Sequence, residues 1–219
     1  MVTKKKIKRG GEVLKNWSPN QISVSLSDLV VKEIPQYYSV KDEIRYGFEW
    51  ILAIVFQILL IVAMASIFHV IQESLYCLIV GCTLRIIGGG AHFKSYFKCA
   101  IYSTGLILLI VLSTVHYLSL SKNILMIMAL FSIIVFAFYA PVLHKTKHLF
   151  TDKKKLTFKL LSLMLIMVII FSTFIFKVFD EKTTVIIWFA VFFQALSLSK
   201  TFNFLIVWFD EKTTPKKER

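Results

Sequence analysis

The sequence predicts an all-α, polytopic integral membrane protein with about six transmembrane helices and short N-terminal surface helices. Three observations predict it. Hydrophobic residues fill 57% of the 219 positions and the mean hydropathy is +0.70. That is more apolar surface than a globular core needs, so its solvent is lipid. The apolar residues fall into runs of about 20, the length a helix needs to cross a bilayer. Lysine and arginine gather in alternate loops, the pattern of positive-inside topology. The net charge of +13 is therefore assigned to topology and to anionic lipid. No nucleic-acid fold signature accompanies it, so nucleic acid is not an expected partner.

The elements follow in order. Residues 1–45 form a basic N-terminal segment on the cytoplasmic side. Residues 1–16 read as disordered, and 17–45 as one or two amphipathic helices on the membrane surface, interrupted at Pro35. No apolar run follows the leading lysines, so they do not read as a cleavable signal peptide. Residues 46–208 form the membrane domain, with spans near 47–69, 74–91, 99–119, 123–143, 156–178 and 184–208. The second span is short and ends in Gly88-Gly89-Gly90, which permits a bend. Residues 209–219 form a cytoplasmic tail.

Loop charge sets the orientation. Residues 1–45 hold nine Lys/Arg, and residues 144–155 hold Lys145, Lys147, Lys153, Lys154 and Lys155. The opposite loops carry only Lys122, Lys177 and Lys182. Both termini and the loop carrying His92 are thus expected in the cytoplasm. The hexapeptide Phe-Asp-Glu-Lys-Thr-Thr occurs at 179–184 and again at 209–214. It reads as reuse of a capping loop on opposite faces, not as an internal repeat.

The residues that carry chemistry lie between the second and third spans. Arg85, the glycine triplet, His92 and Cys99 fall within fifteen residues. A histidine can take the proton from a thiol and make it a nucleophile. On one straight helix, seven residues would separate the two by about 10.5 Å, too far for a hydrogen bond. A working pair therefore requires the chain to leave helical geometry near the glycines. Cys99 is expected at the N-terminal end of the third span, where the helix dipole and the charges of Lys94 and Lys98 favour a thiolate. Each residue alone has a plainer reading: a histidine hydrogen-bonded in a loop, a cysteine serving as a small apolar side chain. Arg85 adds weight to the functional one, because a charge inside a span is costly; snorkelling toward the span end is its plain alternative.

Three further polar residues fall in the spans. Glu49, Gln194 and Lys200 are candidates for orienting His92 or binding substrate, with interhelical hydrogen bonding as the plainer role. Gln194, Ser197 and Thr201 would share one helix face. His144, His148 and Asp152 have helical spacing but no fourth ligand, so no metal is assigned, and no cofactor. With cysteines only at 77, 82 and 99, no disulfide framework is expected.

Arg85, Gly90, His92 and Cys99, at intervals of five, two and seven, resemble the accessory gene regulator B family of bacterial membrane cysteine endopeptidases. Ile44-Arg45-Tyr46-Gly47-Phe48-Glu49 resembles the family's approach to its first span. Tyr139-Ala140-Pro141 before a lysine-rich loop resembles its central loop. Gln194-Ala195 stands where relatives carry Glu-Ala. The resemblance covers about residues 40–205. It implies a thiol protease of the bacterial cell membrane that acts in quorum sensing, with catalytic His92 and Cys99 and with Arg85, Gly89 and Gly90 in support. It also implies a short propeptide substrate with an acidic C-terminal tail, a thioester acyl-enzyme, closure of a thiolactone or lactone ring, and a homodimer. The alternative from another class is a peptide exporter or channel that does not cut, which would tolerate loss of Cys99.

Overall fold

The structure, a computed structural model, describes residues 19–91, 93, 96–142 and 151–213. It is helical throughout. Six helices are long and apolar enough to cross a membrane, and no β-strand occurs among the described residues. The chain divides into two compact units, residues 1–60 and 61–219.

The first unit contains α1 (Pro19–Glu33), a short 3₁₀ turn (Pro35–Val40) and most of α2 (Lys41–Ile67). Proline at the start of a helical segment loses no hydrogen bond there. Asp42 and Glu43 favour the positive N-terminal end of α2. Polar bonds tie α1 to α2: Asn20 Nδ2 donates to Glu49 Oε2 at 3.1 Å, and Lys41 pairs with Asp28 at 2.5 Å. Arg45 also reaches Glu49, at 3.1 Å.

The second unit contains the last turns of α2, then α3 (Ile71–Gly88), α4 (Tyr96–His116), α5 (Lys122–Tyr139), α6 (Asp152–Ile170), α7 (Glu181–Leu198) and α8 (Lys200–Thr213). A π-helical turn (Phe171–Ile175) extends α6. The central element is α7: 67% of its span is buried, against 22–33% for α3 to α6. Two apolar clusters meet on it. Leu84, Met128, Phe136, Ile166, Trp188 and Val191 pack between α3, α5, α6 and α7. Ala65, Cys77, Leu108, Val111, Ile186 and Ala190 pack between the end of α2, α3, α4 and α7. In lipid such packing is held by van der Waals contact rather than by water exclusion. Every polar group inside must find a partner. Trp188 accordingly stacks on Phe174 and donates its indole N–H to Thr173 Oγ1 at 3.2 Å.

The sixth span differs from expectation. The predicted 184–208 helix is broken at Ser199, whose backbone is extended (φ −69°, ψ 144°). Ser199 Oγ accepts from Phe202 N at 3.2 Å, the geometry of an N-cap that starts a new helix. Thr201 therefore belongs to α8 and does not extend the Gln194–Ser197 face. Lys200 opens α8 rather than lying two turns inside a span. The two copies of the hexapeptide also part company. Asp180 caps α7 through its carboxylate, while Phe209–Thr213 of the second copy are helical.

Candidate active site at the glycine bend

The site is built where α3 and α7 end and α4 begins. Helix α3 stops because Gly89 takes φ +77°, ψ −151°, a conformation essentially reserved for glycine. Its N–H still closes the helix by donating to Arg85 O at 2.9 Å. Gly90 follows with φ +141°. The chain emerging from α5 through Ala140-Pro141 lies alongside, forming a parallel bridge between Gly89 and Val142. Val142 N donates to Gly88 O at 2.9 Å.

Each glycine has a neighbour where a side chain would begin. A Cβ on Gly88 would stand 2.8 Å from Phe136 Cε1, and one on Gly89 would collide with the backbone carbonyl of Val142. A Cβ on Gly90 would stand 2.6 Å from Ser197 Oγ. The bend is then fastened to α7. Gln194 Nε2 donates to Gly89 O at 2.7 Å, and Ala91 N donates to Ser197 O at 3.0 Å. Ser197 O is one of the last carbonyls of α7, which has no partner within its own helix.

Arg85 is half-buried and donates through Nη2 to Ala91 O. It thereby spans the bend from the last turn of α3. Its guanidinium is also within electrostatic range of the Cys99 and Cys82 thiols and of Tyr102. Cys99 is half-buried in the first turn of α4, and Ser103 Oγ donates to its carbonyl at 2.7 Å. A thiolate there would meet both a fixed cation and the positive end of a helix dipole.

His92, Lys94 and Ser95 lie outside the described residues, as do His144 and His148. The remaining predicted residues sort clearly. Arg85, Gly89, Gly90 and Gln194 converge on the bend, and Arg85 links it to Cys99. Glu49 belongs to the first unit, where it is bonded to Asn20 and Arg45. Lys200 is exposed at the start of α8.

Sequence reasoning missed Asp210. Lys98, expected to add positive charge beside the thiol, is instead paired with it: Nζ to Asp210 Oδ1 is 3.1 Å. An aspartate one turn beyond the buried Ile206, in a helix with Phe204, Leu205, Trp208 and Phe209, was a signal, since such a charge calls for a partner.

Comparison with known proteins gives one finding. Residues 23–198 match the family model described as AgrB, accessory gene regulator B. No curated protein and no solved structure matches the chain. The match and the six apolar helices fit a multi-pass membrane protein with a role in processing agr quorum-sensing peptides.

Proposed function

Because the chain belongs to the accessory gene regulator B family, we propose that it is a membrane cysteine endopeptidase that matures a quorum-sensing propeptide. The observation that carries this reading is Cys99 in the first turn of α4, within electrostatic range of Arg85. His92 is the general base. It takes the proton from Cys99, and the thiolate attacks the carbonyl joining the pheromone core to an acidic C-terminal tail. The C–N bond breaks, His92 returns the proton to the leaving amine, and the core remains as a thioester on Cys99.

An internal cysteine or serine of the peptide then attacks the thioester, closes the thiolactone or lactone ring and releases the Cys99 thiol. Exchange between thiol and thioester keeps the bond energy, so the step needs no nucleotide. Exclusion of water by the surrounding apolar helices would keep hydrolysis from competing.

The charge distribution supports a cytoplasmic location for this end of the bundle. The lysines of 144–155 suit an acidic tail. In this reading the protein is a homodimer in the bacterial cell membrane, surrounded by lipid, with both termini in the cytoplasm.

The test is a trapped intermediate. Wild-type protein incubated with propeptide in native membranes should yield a hydroxylamine-sensitive adduct at Cys99. Cys99→Ser and His92→Ala should yield neither adduct nor product. Normal cleavage by Cys99→Ala would end this reading and leave the exporter in its place.

A further inference from the structure

Helix α8 begins where the family match ends, yet it grips the segment that carries the candidate dyad. Among the described residues two contacts show it. Phe209 meets the ring of Phe93, the residue after His92, with centroids 6.3 Å apart. Asp210 meets Lys98, the residue before Cys99.

The second contact is unusually complete. Lys98 Nζ reaches Asp210 Oδ1 at 3.1 Å, Asp210 O at 3.4 Å and Thr213 Oγ1 at 2.9 Å. Each of these oxygens can accept a proton from the ammonium. One of these is a carbonyl in the last turn of α8, where a cation also complements the helix dipole. The Asp210 side chain is only 4% exposed.

Burial of such a pair adds little net stability, because desolvation offsets the attraction; an apolar pair of similar size would hold the helices as well. What an ion pair supplies is register. It is satisfied in one relative placement of two helices, whereas Leu against Leu tolerates sliding. The placement fixed here is that of the first turn of α4, one residue from the thiol. The outward face of α8, with Phe204, Leu205 and Trp208 exposed and Lys212 over the Trp208 ring at 4.2 Å, suits a helix lying along a lipid surface.

We propose that Asp210 is a positioning residue: through Lys98 it holds the first turn of α4, and so the Cys99 thiol, in the register the peptidase reaction requires. The inference rests on the peptidase reading, and its test separates the two. The comparison is between wild type, Lys98→Ala with Asp210→Ala, and the exchanged pair Lys98→Asp with Asp210→Lys. The alanine pair removes the tie without changing net charge. Each is assayed in native membranes at matched protein amounts. One readout is propeptide processing. The other is the pH dependence of N-ethylmaleimide labelling at Cys99, resolved from Cys77 and Cys82 by peptide mass spectrometry.

The alanine pair should process at least tenfold more slowly. Its labelling profile at Cys99 should move away from that of wild type and toward that of His92→Ala. The exchanged pair should recover most of both. A destabilised but correctly aligned protein would lose amount, not shift its labelling midpoint. An alanine pair that labels and processes like wild type, or an exchanged pair no better than the alanine pair, overturns the role. Cleavage by a Cys99→Ala control would overturn the peptidase reading instead, and the labelling profile alone would still decide the role of Asp210.

Discussion

Gly89→Ala should be the most damaging single-methyl substitution at the bend. Two costs add. The backbone at φ +77°, ψ −151° lies in a region that costs a residue with a Cβ about 1–3 kcal/mol. The new methyl would also overlap the Val142 carbonyl, a backbone atom that cannot rotate away, at a further 1–3 kcal/mol or so. The total of about 2–6 kcal/mol is a large fraction of an ordinary stability margin of about 5–15 kcal/mol. Gly88→Ala provides the contrast. Its methyl would meet the ring of Phe136 at 2.8 Å, so a smaller side chain there should relieve it. The assay is thermal denaturation in a mild detergent together with processing in membranes. Gly89→Ala should lose processing whether or not Phe136 is changed. Gly88→Ala should recover stability when combined with Phe136→Leu. A Gly89→Ala protein that melts and processes like wild type would refute the argument that the backbone turns on that glycine.

Two other substitutions test the supports of the bend and of α7. Gln194→Leu removes the donor to the half-buried Gly89 O and should cost about 1 kcal/mol; Gln194→Glu restores that bond only while its carboxyl is protonated, so its melting temperature should rise as the pH falls, and a pH-independent Gln194→Glu would count against the bond. Asp180 accepts from Lys182 N at 3.1 Å and Thr183 N at 3.3 Å. Its hydrogen bonds, led by that to Thr183, hold its carboxyl below the ordinary value. The stabilisation is therefore present above the unfolded aspartate pKa near 3.9 and is lost as the pH falls through the lower folded value. Asp180→Ala should cost about 1 kcal/mol at neutral pH and flatten this acid limb, while Asp180→Asn should keep the cap and flatten it too; melting curves between pH 3 and 7 decide.

The spans were legible because lipid imposes a length and an apolar run on each, and the glycines because a bend beside a charged residue stands out within such runs. The break at Ser199 was written in the sequence, as a serine capping Phe202 three residues on. Hydropathy averaged over 20 residues passes across it, because Phe202, Phe204, Leu205 and Trp208 keep the average high. The dominance of α7 was not legible from hydropathy, which does not separate a lipid-facing helix from a central one. Its polar residues, Thr183, Thr184, Gln194 and Ser197, all buried, were the better guide, since polar side chains avoid lipid. The repeated hexapeptide shows where local sequence stops deciding. Asp180 precedes a helix and bonds its free N–H groups, whereas Asp210 ends a helix and meets a lysine 112 residues away in sequence.

The two sides of the bend are held by different kinds of contact, and this has a consequence for how they fail. The glycine side hangs on α7, the most buried helix, through Gln194 and the Ser197 carbonyl. Substitutions there disturb groups that the bundle must satisfy in the absence of water, so stability and processing should fall together. The cysteine side is tied by Lys98 and Asp210 to α8, a helix in which only Ile206 and Asp210 are fully buried. Replacing both partners by alanine removes the two charges together and strands neither, so the fold should survive while the alignment of α4 does not. Arg85 belongs to both sides, bonded to Ala91 O and within electrostatic range of Cys99. Arg85→Lys keeps the charge but gives up the planar reach that lets one side chain serve the bend and the thiol at once. It should therefore leave the protein folded, with the bend and the nucleophile no longer set by the same group.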